Sequence, residues 1–317
     1  MNERKIPFEI DLVCLWVDGN DPEWQKRHRE WAPVPAGDDT ANSPGRYADN
    51  DELRYSLRSV ERYAPWIRRI YIVTDRQTPR WLDTSNPKIR IVDHSEILPP
   101  EALPTFNSVV IEHALHRIPG LAEHFLYAND DMFFNREVSP SDFFTPEGLP
   151  IIRLFRRPMR LLTLWIEKKI LKKNISNYTR TIVTAAKMVK RKTGRFIGDR
   201  PHHNIDPYRK SLYAHTFETF REEIEPTLCN RLRADNDIQR VIYSYLPLAE
   251  KKAKKLYVTK KESFLLHNRN HSLYALLEEQ NPLFFCVNES PGATDADREK
   301  AKEYLKSRFP EKSSYEK

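Results

Sequence analysis

The sequence predicts an α/β protein built on a mostly parallel sheet, and three observations predict it. Short apolar, β-rich runs recur, stretches of helical periodicity separate them, and several runs stop at an acidic residue beside turn formers. The run Ile10–Val17 (IDLVCLWV) ends at Asp18, Gly19, Asn20, Asp21 and Pro22, which reads as a buried strand followed by a loop. Ala32 to Arg46 is polar with Gly and Pro and reads as a mobile loop. Asp51 to Tyr63 places Leu53, Leu57 and Val60 at helical spacing. Ile70–Thr74 is a second strand that stops at Asp75, and Ile89–Val92 a third that stops at Asp93. Ser108 to His116 reads as helix, and Phe125–Ala128 is a fourth strand that runs into Asn129, Asp130 and Asp131. Ligands of such sheets bind at the carboxyl ends of the strands, so Asp18, Asp75 and Asp130 are expected on one rim.

Three regions are expected: an α/β part over 1–152, a basic helical insertion over 153–200, and the remainder over 201–317. In the insertion Arg156, Arg157, Lys168, Lys169, Lys172, Lys173, Lys190, Arg191 and Lys192 are interleaved with Leu, Ile and Trp165. It is either a solvated hairpin packed on the sheet or a surface that docks an anionic polymer or lipid headgroups. From His202 to Leu248 the pattern is helical, Phe284–Glu289 is strand-like, and a helix from Asp295 to Phe309 follows Thr294 as N-cap.

With 317 residues, 39% hydrophobic and 31% charged, the chain has the composition of a globular enzyme and not of a disordered tail. Its net charge of +7 favours anionic partners. Cys14, Cys229 and Cys286 lie far apart without a CxxC pair, so neither a zinc ribbon nor a disulfide framework is expected, and a reducing compartment fits. Residues 1–10 lack a secretory pattern and no apolar run approaches the roughly 18 residues of a membrane span, so membrane contact is expected to be peripheral.

Adjacent carboxylates at a strand end, Asp130 and Asp131 after Asn129, can hold a divalent cation against phosphate oxygens; a turn or helix cap is the plainer reading. In Trp16, Val17, Asp18 and Gly19 the tryptophan can flank a base, the aspartate can accept from a ribose or uracil donor, and the glycine permits close approach; a core tryptophan is the alternative. His202 and His203, followed by Pro207, Tyr208, Arg209 and Lys210, set candidate bases beside cations, a mixture useful for handling a phosphoryl group; surface or satisfied core histidines are the plainer reading. Arg231 and Arg233 with Asp235 and Asp237 offer guanidinium groups for phosphate, or a surface ion-pair network.

These segments together resemble the four conserved blocks of the Stealth family. DLVCLWVDGNDPEW (11–24) is similar to the first. RYADNDELRYSLRSVERYAPWIRRIYIVTD with LPTFNS, HRIPGL and FLYANDDMFF (within 46–134) is similar to the second. PHHNIDPYRKS (201–211) with NRLRADNDIQ (230–239) is similar to the third, and FFCVNES (284–290) to the fourth. The family includes bacterial capsular-polysaccharide phosphotransferases, which this compact chain resembles in type, and the animal subunit that tags lysosomal glycans with N-acetylglucosamine-1-phosphate.

The resemblance implies a glycosyltransferase-A-like, Rossmann-type fold. It implies Mg²⁺ or Mn²⁺ on Asp130 and Asp131, and catalytic roles for Asp131, His203 and Arg233. Trp16, Val17, Asp18, Gly19, Asn50, Asp51, Arg54, Thr74, Asp75, Asn129, Arg209 and Asp237 are then expected around the nucleotide and sugar; for Asp51, helix capping is an equal alternative. In one departure, Asp206 stands where the animal pattern has a second histidine. The implied reaction transfers a sugar-1-phosphate from a UDP-sugar donor to a polysaccharide acceptor, lipid-linked or free, in the cytoplasm. Membrane contact would run through 153–200, and no nucleic acid is expected. The rivals are a UDP-releasing glycosyltransferase and a non-catalytic membrane or nucleic-acid binder.

Overall fold

The computed structural model describes residues 7–32, 47–157, 159–172 and 176–317. Most of the loop expected between Ala32 and Arg46, and Lys173, lie outside the described residues. The strands are β1 (Ile10–Leu15), β2 (Ile70–Thr74), β3 (Ile89–Asp93), β4 (His124–Asn129), β5 (Met132–Phe134), β6 (Ile151–Phe155), β7 (Arg200–Pro201), β8 (Asp206–Arg209), β9 (Lys254–Tyr257), β10 (Ser263–His267) and β11 (Phe284–Asn288). The helices are α1 (Pro22–Trp31), α2 (Glu52–Tyr63), α3 (His94–Ile97), α4 (Ser108–His113), α5 (Arg160–Lys169), α6 (Asn177–Thr193), α7 (Lys210–Thr219), α8 (Arg221–Ile224), α9 (Ile242–Ala249), α10 (Ser272–Gln280) and α11 (Asp295–Arg308).

The main sheet has the order β3-β2-β1-β4-β8. Its first four strands are parallel, and β8 is antiparallel to β4. β1 and β2 are buried along their whole length, as strands covered on both faces must be, which is why they read as continuous apolar runs. Because β2, β1 and β4 are parallel neighbours, the residues that follow them, Asp75, Asp18 and Asp130, leave the sheet at one edge. The α/β fold expected from the sequence is present. Two small sheets, β10-β11-β5 and β7-β6-β9, flank it.

Leu53, Leu57 and Val60 lie on the buried face of α2, each worth about 1.5–3 kcal/mol on burial. The same face carries two serines that pin the strand next to the acidic pair. Ser56 Oγ donates to the Met132 carbonyl at 2.7 Å, and Phe134 N donates to Ser59 Oγ at 3.1 Å. β5 pairs antiparallel with β11, placing Cys286 opposite Met132.

Between His202 and Leu248 the structure departs from the helical expectation, because β8 interrupts it. Its four residues gain their hydrogen bonds from β4, a partner nearly 80 residues away that local periodicity cannot reveal. The basic stretch is a helical excursion between two paired strands: the chain leaves β6, forms α5 and α6, and returns as β7 antiparallel to β6. Helix α6 buries Ile182, Ala185, Ala186 and Val189 in the largest core cluster together with Ile242 and Leu246 of α9. At the C-terminal end, Thr294 caps α11 in a capping box with Asp297.

Candidate active site

The turn from β4 to β5 presents Asp130 and Asp131. Asp131 N donates to Asp130 Oδ1 at 3.1 Å, and the Asp131 carbonyl accepts from Val287 N at 2.9 Å, tying the turn to β11. The buried Cys286 thiol donates to Asp131 Oδ2 at 3.2 Å. One donor atom each of Asp131, His203 and Cys286 lies within 4.8 Å of the other two. Residues 131, 203 and 286 thus meet in one cluster.

An acidic wall adjoins it. Loss of solvent pushes the Asp130 carboxyl well above its usual range, and Asp131, Glu52 and Asp49 add to the shift. Asp49 is pushed up to about 7, by burial first and then by Glu52, Asp51 and Asp18. Glu52 is raised by burial as well. Carboxylates that raise one another's pKa values share an uncompensated negative field, the condition that a divalent cation relieves. The residues present therefore fit a divalent ion, with Asp131 common to the acidic wall and to the three-donor cluster.

Burial pushes the His203 imidazole down to about 4, with Arg240 the next contributor, so near neutral pH it is uncharged and can accept a proton or a metal bond. Behind it, His202 Nε2 lies 2.9 Å from Asp206 Oδ1, and Nδ1 lies 3.0 Å from Ser263 Oγ. With the carboxylate as acceptor, Nε2 carries the proton and Nδ1 accepts from the serine hydroxyl. Arg240 Nη1 donates to Asp206 Oδ2 at 2.9 Å, and its guanidinium stacks 4.1 Å above the Tyr127 ring. Burial raises the Asp206 carboxyl, but Arg240 and His202 outweigh it and leave the pKa lowered. The Tyr127 hydroxyl lies 2.6 Å from Asn129 Oδ1 and 2.8 Å from Glu112 Oε1. A continuous polar chain therefore links the support of His203 to the residue before Asp130.

The loop at 230–237 is laced to the LPTFNS segment. Asp237 accepts from Asn107 Nδ2 at 2.9 Å and from Asn230 Nδ2 at 2.7 Å, and Arg233 Nη2 donates to Ser108 Oγ at 2.8 Å. On the other side of the rim, Asp18 N donates to Gln77 Oε1 at 3.0 Å, and the Asp18 carboxylate accepts from Asn20 N at 2.8 Å. Gly19 N donates to the Tyr47 carbonyl at 2.8 Å, and a Cβ on Gly19 would meet that oxygen at 2.2 Å. Only glycine fits there. Val17 is half-buried beside it.

Several residues expected around the nucleotide and sugar have partners within the protein. Arg209 lies opposite His124 in the β4–β8 register, at the far end of β4 from Asn129, about 17 Å away at strand rise. There it donates to Glu123 at 2.9 Å. Arg54 is taken by Glu316 at 2.8 Å, an acid it shares with Arg58. Trp16 is core, 6% exposed, and offers no free face for a base. Asp237 is buried and holds its own loop. Asp75 pairs with Arg27 at 2.9 Å, while Thr74 is buried behind it. Asp51 stands at the N-cap of α2 in a left-handed conformation, yet its side chain makes no cap hydrogen bond and pairs with Lys302 at 2.7 Å. The Asn50 side chain donates to Glu52 at 2.8 Å.

Sequence reasoning missed Asp49, Glu52 and Cys286. It also missed Arg200, which stacks on Phe155 and lies close enough to His203 to act on its titration. The two acids sit inside the quoted RYADNDELRY motif, where their charge density was the available sign.

Residues 8–32 match Stealth protein conserved region 1, and residues 46–152 match conserved region 2. The capsular polysaccharide phosphotransferase fcs1 of Haemophilus influenzae is 33% identical over 300 residues, 91% of this chain and 80% of its own length. The chain belongs to the Stealth family. Another relative of this Stealth chain, the capsular polysaccharide phosphotransferase LcbA of Aeromonas hydrophila, is 39% identical over 245 residues, 75% of the chain and 64% of that relative's length. The chain thus spans just under two thirds of the Aeromonas protein. Among solved structures, the galactosyltransferase LgtC with donor and acceptor sugar analogues is similar with a TM-score of 0.44 at 13% identity, over 94% of this chain and 95% of that one. At that distance the α/β assignment rests on the sheet itself. Among the described residues no helix is long and apolar enough to cross a membrane.

Proposed function

We propose that this Stealth chain transfers a sugar-1-phosphate, N-acetylhexosamine-1-phosphate, from a UDP-sugar to a hydroxyl of a growing capsular or cell-surface polysaccharide, releasing UMP. The observation that carries the reading is the meeting of Asp131 and His203, 72 positions apart in sequence, within 4.8 Å beside a wall of raised-pKa carboxylates. The phosphotransferase names of its relatives support the reaction class.

In this reading the acceptor oxygen bonds to the β-phosphorus, the bridging P–O bond to UMP breaks, and the anomeric C–O bond is untouched. His203, neutral at working pH, takes the hydroxyl proton. Asp206 and Arg240, anchored to His202, keep the neighbouring backbone in place. Asp130 and Asp131 hold Mg²⁺ or Mn²⁺, which when bound offsets charge on the diphosphate. Carboxylate ligands suit either ion, since Mg²⁺ and Mn²⁺ both take oxygen donors. Val17, Asp18 and Gly19 face the nucleotide from the β1 edge. Arg233 and Arg200 contact phosphate in place of Arg54 and Arg209. Little covalent work is asked of the protein, so positioning and charge supply most of the rate.

Residues 1–152 form the donor side, 201–317 complete the site, and 153–200 are a basic helical insertion beside it. The chain works in the cytoplasm at the inner membrane face. Incubation with UDP-N-acetylglucosamine, Mn²⁺ and an acceptor oligosaccharide, followed by separation of nucleotides, tests the reading. UMP should form in step with phosphodiester product; UDP in equal amount to product, with no UMP, would identify a glycosyltransferase instead.

A further inference from the structure

Among the described residues, nine large apolar side chains stand out of the surface, and eight of them belong to one region. Met159, Leu162, Trp165, Ile170 and Leu171 are between 49% and 73% exposed, on α5 and the turns at its ends. Leu162, Trp165 and Lys169 follow one another at helical spacing, while Leu164 faces inward and is buried. The helix is therefore inverted relative to a surface helix of a soluble protein, with apolar side chains outward. Leu256 and Tyr257 of β9 extend the patch: β9 pairs with β6, the strand from which the chain departs for α5, and the Arg156 guanidinium lies 5.8 Å over the Tyr257 ring. The ninth exposed residue, Trp31, lies elsewhere beneath Arg231.

The charge around this patch is one-signed. Residues 156–172 contain six basic side chains and one acid, Glu167. A second copy of the chain seated on the patch would bring those cations against their own kind, and a nucleic-acid site would not place tryptophan and leucine outward in a helical stripe without stacking geometry. Apolar residues ringed by cations complement an anionic lipid surface, where the side chains enter the acyl boundary and the cations meet headgroups. Ten residues of helix are about 15 Å long, half of a bilayer's hydrocarbon core, so α5 can lie in the interface but not cross it.

We propose that α5, its flanking turns and the exposed end of β9 form a seat for an anionic bilayer, and that acceptor chains reach the site from that side. The seat is coupled to the catalytic sheet, because α6 packs into the main core. Within α6, Arg180 Nη2 donates to Asp235 Oδ1 at 3.1 Å, in the loop that also carries Arg233. The delivery half of this proposal rests on the transferase reading given above; the lipid seat does not.

Sedimentation of the full chain with vesicles tests the seat in the absence of donor and acceptor. Vesicles of phosphatidylcholine containing about one third phosphatidylglycerol should pellet the protein, and pure phosphatidylcholine should pellet far less. Leu162→Ser combined with Trp165→Ser should weaken binding at least about tenfold while circular dichroism is retained. Lys169→Gln with Lys172→Gln should cost about tenfold on the anionic vesicles only. Wild-type protein that stays in the supernatant, or a serine variant that pellets like wild type, would overturn the seat. So would a wild-type dimer that the serine variant abolishes in ultracentrifugation, since that would make the patch a contact between copies. UMP release measured on a soluble acceptor should be equal in the serine variant and wild type, and a lipid-linked acceptor should be used less well by the variant. Equal use of the lipid-linked acceptor would remove the delivery half, whereas no UMP from either protein would remove the transferase reading and leave vesicle binding standing.

Discussion

The Asp131 carboxylate accepts a hydrogen bond from the Cys286 thiol, its backbone carbonyl accepts from Val287 N, and His203 lies beside it, so the carboxylate has little freedom to move. Replacing it by asparagine keeps the shape and removes the charge. Asp131→Asn is expected to lower turnover by roughly a thousandfold or more while leaving the urea midpoint near wild type. Activity close to wild type would detach the residue from the chemistry. Asp49 makes a prediction with a sign. Its carboxyl, ordinarily 3.8, is raised to about 7 in the fold, so its contribution to stability is complete below the unfolded value and lost as pH rises through about 7. Melts in chelator should therefore give a lower transition at about pH 8 than at about pH 6, and added Mn²⁺, which takes the place of the proton, should restore it. Asp49→Asn should flatten that slope; an unchanged slope would show that the titration belongs to another group.

At the scale of elements, β8 joins the segment that carries His203 to the main sheet, and one buried cation anchors it. Arg240 serves Asp206 at 2.9 Å and lies 3.6 Å from Glu112, both largely buried. Arg240→Met is expected to cost about 3–5 kcal/mol in urea unfolding, because it strands two acids in the interior. Adding Asp206→Asn to that variant should recover part of the loss; a cost under about 1 kcal/mol would mean that the network is solvated. The elements that were legible in sequence were those whose local pattern and tertiary role agree: β1, β2, β3, β4, β11, α2, α4 and α11, with the helical character of α5 and α6. Two short strands lacked that agreement. β8 contains Pro207 and only four residues, and β9 (KKLY) is exposed throughout, so pairing with β4 and β6, not composition, makes them strands. Arg209 was misplaced for the same reason, since an antiparallel register puts it at the opposite end of β4 from the turn that carries Asp130.

At the scale of the molecule, the site exists because three separated parts of the chain are brought to one sheet edge. The β4–β5 turn supplies Asp130 and Asp131, the segment before β8 supplies His203, and β11 supplies Cys286. Half of this was visible beforehand, as acid and histidine motifs with recognisable neighbours. Cys286 was not, because a lone cysteine in an apolar run carries no local sign of the carboxylate across the strand pair. Gly19 shows how tightly the β1 edge is drawn: Gly19→Ala would drive a methyl into the Tyr47 carbonyl and shift the loop that carries Asp49 and leads into Glu52 of α2. That variant is expected to raise KM for the donor severalfold or more, and an unchanged KM would place the nucleotide elsewhere. The most direct test of the account is anomalous diffraction from crystals grown with Mn²⁺ and UDP. One manganese peak bonded to Asp131, near His203, and bridged to the diphosphate is the predicted result. A diphosphate bound away from Asp131 and His203, with manganese elsewhere or absent, would contradict it.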